Sequence, residues 1–243
     1  MIGAPLREAF GIVSVESGAF IRLGGDLGDD YFDHLAGRLY AAVISDVLDA
    51  AGYREQALDA RITHQAGGEV LVGRAATVLA GEEVELRGDP YALQIEAIDG
   101  LKGGDVVVAT THDSHRAAFW GELFSTAAVA RGARGLVLEG LMRDRRKVDE
   151  MGFPVFATGS RPVDSMGRLS VYAHGVPVRC GGVVVRQGDL VFAEPDGIVI
   201  VPASVEEDIV ASALEKVERE DLVRDELAGG ASLAEAWARH RVL

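Results

Sequence analysis

A chain of 243 residues, 48% apolar and 6% aromatic, can bury a substantial core as one large domain or two small ones. Its richness in Ala, Val and Gly suits a globular α/β protein and argues against disorder. Its 38 acidic residues outnumber its 24 Lys and Arg, for a formal charge of -14. That disfavours nucleic acid as a direct partner, because phosphate contacts need clustered cations, and if anything favours divalent cations.

The opening Met1-Ile2-Gly3-Ala4-Pro5-Leu6-Arg7-Glu8 lacks the basic-then-apolar pattern of a signal peptide, and no apolar run approaches the roughly 20 residues of a membrane span. A soluble cytoplasmic protein is therefore expected. Residues 1–30, punctuated by Gly24-Gly25-Asp26 and Gly28-Asp29-Asp30, read as an N-terminal arm. Over 31–51 the residues Phe32, Leu35, Leu39, Ala42, Val43, Val47, Leu48 and Ala51 recur at helical spacing. They predict one helix stopped at Gly52, with Asp46 and Asp49 as solvated acids on its polar side. Residues 70–80 predict one or two strands around Gly73-Arg74, and 91–98 a short helix. Gly103-Gly104-Asp105 turns the chain into Val106-Val107-Val108-Ala109, a run typical of a strand buried on both faces. The following His112-Asp113-Ser114-His115-Arg116 places two histidines around an acid, which suits a metal. No third ligand is evident nearby, so solvated loop residues bordering a pocket are the favoured reading.

Residues 121–131 predict a helix with Leu123, Phe124, Ala127, Ala128 and Val129 on its apolar face, closed by Gly132. A strand at 136–138, a charged helix at 145–151 and a strand at 154–157 continue the alternation of a sheet covered by helices. From 169 to 202 the texture changes to short strands and tight turns. Gln187-Gly188-Asp189 and Pro195-Asp196-Gly197 make Asp189 and Asp196 turn formers first. Cys180 is the only cysteine, which excludes an internal disulfide and a cysteine metal cluster. Residues 203–227 are helical and Glu-rich, followed by a Gly229-Gly230 break and a last helix over 233–239. A polar helix after a complete sheet either lies against a neighbouring subunit or is solvated. With no repeat and no clear linker, the chain reads as a single domain, 1–243, with an arm at 1–30 and a helical tail at 203–243.

The P-loop, dinucleotide-binding and nucleophile-elbow motifs are absent. The three lysines, Lys102, Lys147 and Lys216, lie outside apolar stretches that would depress a pKa for Schiff-base work. The candidate site is instead the stretch 120–144, where a helix start and a strand end can meet at one sheet edge. Arg143 offers a planar fork matched to a carboxylate. Asp144 is a hard oxygen ligand suited to Mg²⁺ or Mn²⁺, ions that bind few protein carboxylates and keep several waters. Together they can hold a small 2-oxo acid, with amides at the start of the helix receiving its carboxylate and Glu122 orienting water. Arg-Asp is also a common dipeptide, and a surface ion pair worth little is the alternative.

The neighbouring residues carry a resemblance. Ile44-Ser45-Asp46-Val47-Leu48-Asp49, Val72-Gly73-Arg74, Trp120-Gly121-Glu122-Leu123-Phe124-Ser125, Gly140-Leu141-Met142-Arg143-Asp144, Gly152-Phe153-Pro154-Val155-Phe156 and Gly188-Asp189-Leu190 through Asp196-Gly197-Ile198 occur in family order. On them the chain resembles the RraA-like family, which includes the class II 4-hydroxy-4-methyl-2-oxoglutarate/4-carboxy-4-hydroxy-2-oxoadipate aldolases. The resemblance implies an α-β-β-α sandwich of the swivelling-domain type, assembling as homotrimers or homohexamers with active sites between subunits. It implies that Asp144 binds the divalent metal directly, that Arg143 contacts the substrate, and that Glu122 acts through metal-bound water. It also implies that the helix start at Gly121, Glu122 and Leu123 holds pyruvate through the Leu123 amide. A glutamate from a neighbouring subunit's C-terminal region joins such sites through water; Glu220 is the candidate, with Glu218 next. The longer Glu stands at 122 where an aldolase can have Asp. The implied activity is metal-dependent cleavage of a 4-hydroxy-2-oxo acid to pyruvate, with oxaloacetate decarboxylation through the same enolate. The second implied reading is a protein-binding regulator, since the family's founding member inhibits a ribonuclease by contact.

Overall fold

The computed structural model describes residues 12–13, 21–22, 28–85 and 88–242. Most of the proposed arm, including Gly24-Gly25-Asp26, lies outside them. Within it, β1 (Ile12–Val13) pairs antiparallel with β2 (Ile21–Arg22). The arm ends earlier than its composition suggested, because Asp29 and Asp30 form the first turn of α1 (Asp29–Arg38), where acids favour the helix dipole.

One helix was expected over 31–51; two are found, α1 and α2 (Ala41–Ala50). Leu39 and Tyr40 between them are extended, and Gly37 in the last turn of α1 is a weak helix former just before them. A residue distant in sequence holds the break: the Glu194 carboxylate accepts the Ala41 amide at 2.7 Å and so caps the second helix from outside. Gly52, at φ +90, ends α2 as expected.

The remaining strands are β3 (Thr63–Ala66), β4 (Leu71–Glu82), β5 (Asp105–Thr110), β6 (Ala118–Trp120), β7 (Gly135–Met142), β8 (Val155–Ser160), β9 (Leu169–His174), β10 (Val178–Cys180), β11 (Val183–Val185), β12 (Leu190–Glu194) and β13 (Gly197–Val201). The helices among them are α3 (Ala92–Asp99), α4 (Glu122–Ala130) and α5 (Arg145–Glu150), followed by α6 (Glu206–Ala228) and α7 (Leu233–His240). The sheet runs β13-β12-β4-β5-β7-β8-β3, with β6 beside β7 and β9 beside β4. Strands β4, β5, β7 and β8 are mutually parallel, as crossovers through α3, α4 and α5 require. The long β4 curls the sheet: it pairs with β12 over Leu71 to Arg74 and with β9 from Val78 onward.

Alternation along the strands sorts the core into three spaces. On one face of the parallel strands, Val107, Ala109, Leu136 and Leu138 pack against Ile98, Ala128 and Val148 of α3 to α5. On the other, Val106, Val108 and Val137 meet Val191, Ile198 and Ile200 of the β12–β13 hairpin and Cys180 of β10. The outer face of that hairpin, Leu190, Phe192, Val199 and Val201, is covered by α1, α2 and α6. The result is an α-β-β-α sandwich, as the resemblance implied. Among the described residues no helix is long and apolar enough to cross a membrane.

The C-terminal helix α6 departs from the expectation of a solvated or partner-facing tail. Its first half buries Ile209, Val210, Ala213, Leu214 and Val217 against α2 and the hairpin. At roughly 1.5–3 kcal/mol per fully buried aliphatic side chain, this half is a component of the fold. Only the end of α6 and α7 form a separate small cluster, Val223, Ala236 and Val242. An ion pair ties the helix in: Arg74 of β4 meets Glu206, which also accepts the Tyr31 hydroxyl at 2.9 Å. The two side chains are 15% and 6% exposed.

Two predictions follow from this packing. Glu206→Ala strands a nearly buried guanidinium and is expected to cost about 3–5 kcal/mol in urea unfolding, against about 1 kcal/mol or less for an exposed pair. Burial, reinforced by Glu139, pushes the Cys180 thiol up to about 12, so a disulfide reagent at about pH 8 should modify it only after unfolding.

Candidate active site

The site is built where a strand end meets a helix start. The strand β6 runs parallel to the last residues of β7, with Ala118 opposite Leu141 and Trp120 opposite Met142. The Arg143 amide donates to the Trp120 carbonyl at 2.8 Å, which carries the pairing one residue past the strand. The chain then turns at Gly121 into α4. The Trp120 indole donates to Ser125 Oγ at 2.9 Å, and that hydroxyl donates to the Gly121 carbonyl at 3.1 Å, so the first turn is fastened from inside. Gln94 Nε2 holds β6 by donating to the Phe119 carbonyl at 3.1 Å.

Gly121 is required by close approach. A Cβ there would lie 2.8 Å from Asp144 Oδ2 and 3.0 Å from Arg143 Cγ. Asp144 adopts the left-handed conformation, φ +59, which Asp tolerates better than most residues and which swings the chain into α5. Its carboxylate accepts the Glu122 amide at 3.3 Å and lies 3.6 Å from Arg143 Nε. The Asp144 and Arg143 side chains remain 42% and 34% exposed, accessible to a ligand. Glu122 opens α4; the Thr126 hydroxyl donates to its carbonyl at 3.0 Å and lies 3.3 Å from its Oε1. With the Glu122 amide directed to Asp144, the amides of Leu123 and Phe124 have no intrahelical acceptor, the usual condition of an anion-receptive helix start.

Arg143, Asp144, Gly121, Glu122 and Leu123 are therefore brought together. Glu220 is not among them within one chain. It lies on α6, in the opposite helical layer, 3.6 Å from Lys216, and burial raises its carboxyl above the ordinary value. Glu218 on the same helix is 3.7 Å from Arg38.

The apolar face assigned to α4 needs correction. Leu123 is 75% exposed and Val129 48%, whereas Ser125 and Ala128 are buried and Phe124 and Ala127 pack against the core. The helix is rotated so that Ser125 can reach Trp120, and Leu123 projects beside the site.

Two residues were not anticipated. Asp164, between β8 and β9, places Oδ1 3.2 Å from Arg143 Nη1. The Tyr91 hydroxyl, just before α3, donates to Asp164 at 3.1 Å. Burial, ahead of the neighbouring Asp164 charge, raises the Tyr91 pKa. Neither stands in a motif, and only the fold brings them to Arg143. The His112 to Arg116 loop, in contrast, is neutralised locally: Asp113 meets Arg61 at 2.6 Å and His115 at 3.3 Å. It touches the site's edge through Arg161, which donates to the His115 carbonyl at 2.6 Å and, from its backbone, to Met142 at 2.8 Å.

Among the described residues no three His, Cys, Asp or Glu side chains converge as a metal cage. The donor set at Asp144 nonetheless fits a Mg²⁺-like ion, which takes one or two carboxylates and fills its shell with water and substrate oxygens. A cleft of about 360 Å³ opens at the opposite, amino end of β7, lined by Asp29, Asp33, Val72 and Arg134. There Arg134 is already paired with both acids and with the Val72 carbonyl. The chemistry therefore favours the half-exposed pair Arg143 and Asp144.

The model of the RraA-like family, described as Aldolase/RraA, matches residues 41–200. Protein DlpA of Legionella pneumophila is 26% identical over 196 residues, 81% of this chain and 31% of DlpA. A Halalkalibacterium halodurans protein that carries the provisional name 4-hydroxy-4-methyl-2-oxoglutarate aldolase is 30% identical over 146 residues, 60% of this chain and 66% of that protein. The chain thus spans less than two thirds of the length of either relative. Among solved structures, Streptomyces coelicolor RraAS2, an unusual member of the RNase ES inhibitor RraA protein family, superposes with a TM-score of 0.73 at 29% identity. That match covers 82% of this chain and 99% of the other.

Proposed function

The chain belongs to the RraA-like family, and we propose that it is a divalent-metal-dependent lyase that cleaves a 4-hydroxy-2-oxo acid to pyruvate by retro-aldol chemistry. The observation that carries this reading is the Asp144 carboxylate and the Arg143 guanidinium, side by side and half-open at the start of α4. The aldolase name of the Halalkalibacterium halodurans relative supports the same class of reaction.

Asp144 would hold Mg²⁺ or Mn²⁺, with water shared by Glu122 and by Glu220 of a neighbouring copy in a trimer or hexamer. Such an ion supplies Lewis acidity that stabilises negative charge at the C2 oxygen of a 2-oxo acid. The amides of Leu123 and Phe124 receive the C1 carboxylate at the positive end of the helix. Arg143 sits against the same oxygens and offsets charge that grows as the bond breaks.

Cleavage breaks the C3–C4 bond. The C4 hydroxyl gives up its proton and becomes the carbonyl of the departing fragment. The bonding pair stays with the three-carbon fragment as the enolate of pyruvate, which takes a proton at C3. Glu122, at the start of α4, is the group that accepts the hydroxyl proton through water and returns one to C3. With oxaloacetate the same bond releases carbon dioxide and leaves the same enolate, so decarboxylation belongs to the proposal.

The likeness to RraAS2 favours a second reading, a protein-binding regulator of the RraA type. Capture of an endonuclease that survives both EDTA and Asp144→Ala would support it.

The lyase reading is tested by assaying pyruvate release from 4-hydroxy-2-oxo diacids and oxaloacetate, with Mg²⁺ or Mn²⁺ and with chelator. Release that depends on metal is expected, and none from any of these substrates overturns the reading. Asp144→Ala should abolish the metal-dependent rate. Arg143→Lys should lower kcat/KM by about tenfold to a hundredfold, since an ammonium lacks the planar fork.

A further inference from the structure

We propose that Asp164, held in turn by Tyr91, is a positioning residue that draws the Arg143 guanidinium away from Asp144 and so keeps the Asp144 carboxylate available to a cation. The inference rests on the functional reading above and goes beyond it, to how one arginine and one cation are accommodated at the same carboxylate.

Arg143 lies between two acids. Its Nη1 is 3.2 Å from Asp164 Oδ1, whereas its Nε is 3.6 Å from Asp144 Oδ2. Both contacts are ion pairs, and the closer of the two is the one to Asp164. A long side chain that is 34% exposed has rotamers to spare, and without Asp164 its remaining carboxylate partner among the described ion pairs is Asp144. Collapse onto that carboxylate would tighten a charged pair that an incoming dication must break.

The support for Asp164 is itself built in. The Ala118 amide donates to the Val163 carbonyl at 2.8 Å, which pins the segment to the strand that leads into Gly121. Arg168 Nη1 donates to the Asp164 carbonyl at 3.0 Å, and the neighbouring Ser165 is buried. The Tyr91 hydroxyl reaches both Asp164 oxygens, at 3.1 and 3.3 Å. Its ring stands 6.2 Å from that of Phe124 in the first turn of α4. Tyr91 and Asp164 thus reference the arginine to the same helix start that holds Asp144. Since burial raises the phenol above its ordinary value, it remains a donor at neutral pH.

The test uses Mn²⁺ alone as probe, with binding followed by electron paramagnetic resonance on the full chain, beside pyruvate kinetics. Asp164→Ala is expected to weaken Mn²⁺ binding about twofold to fivefold, the size of a partly exposed ion pair. Asp164→Asn, which keeps the shape and an acceptor for Tyr91, should show the same loss if charge is what matters. Tyr91→Phe should show a smaller loss in the same direction. KM for the 2-oxo acid should rise more than kcat falls. The deciding comparison is the Arg143→Ala background, where Asp164→Ala should have no further effect on Mn²⁺ affinity. An equal loss in that background, or wild-type affinity in Asp164→Ala and Asp164→Asn, overturns the inference. Thermal melting of each variant excludes unfolding as the source of a loss. An active, Mn²⁺-binding wild type with indifferent Asp164 variants sinks this inference alone. A wild type that neither binds Mn²⁺ nor releases pyruvate sinks the functional reading as well.

Discussion

The hydrogen bond from the Glu122 amide to the Asp144 carboxylate spans a gap that the missing Cβ of Gly121 leaves open. Any Cβ at position 121 would occupy the space between the helix start and the strand end, and the two charged residues would be pushed outward. The surrounding contacts keep that gap at its present width. Pairing of β6 with β7 sets the distance, the Trp120–Ser125–Gly121 chain of hydrogen bonds fastens the first helical turn, and Gln94 braces β6 from α3. A carboxylate placed at a helix amino end is stabilised by the aligned peptide dipoles. The same position makes it a poor place for further negative charge unless a cation or guanidinium accompanies it.

An acidic chain uses several of its arginines to join layers. Arg74 ties β4 to α6 through Glu206, and Arg134 ties the entry of β7 to α1 through Asp29 and Asp33. Both guanidinium groups lie within 6 Å of the Phe32 ring centroid, at 5.6 and 5.4 Å, so one aromatic ring serves two cations. Arg143 differs from these. It stands between two carboxylates, ion-paired with both and closer to Asp164, and a third of its side chain is open. The distinction between an arginine that holds the fold and one that can meet a ligand lies in that residual exposure.

The layering explains why the site sits where it does. Both faces of the parallel strands are covered, by helices on one side and by the β12–β13 hairpin with β10 and β11 on the other. With both faces closed, a small ligand can approach only at strand ends. At the amino end of β7, Arg134 is consumed by structural pairs; at the carboxyl end, the charges are partly free. The first half of α6 completes the outer layer, and the apolar residues of its last turns pack with α7.

The sequence by itself determined what depends on neighbours along the chain. The apolar runs at 106–109 and 136–138, the stop at Gly132, the turns at Asp189 and Asp196, and the adjacency of Arg143 with Asp144 were all legible, because periodicity, backbone freedom and side-chain chemistry are local properties. Asp189 shows this well, since its carboxylate accepts the Arg186 and Ala203 amides as a turn former does. Tertiary structure alone decided what depends on residues far apart. The break at Leu39 and Tyr40, with Gly37 beside it, is capped by Glu194 of a hairpin more than 150 positions away. Helix α4 turns Leu123 outward because Ser125 is needed under Trp120, and a polar-looking α6 is buried because the hairpin presents it with an apolar face. Asp164 and Tyr91 reach Arg143 only after β6, β7 and β8 have closed on one another. No pattern in the chain announces such a meeting, since the attraction between a carboxylate and a guanidinium depends on their separation in space and not on their spacing in sequence.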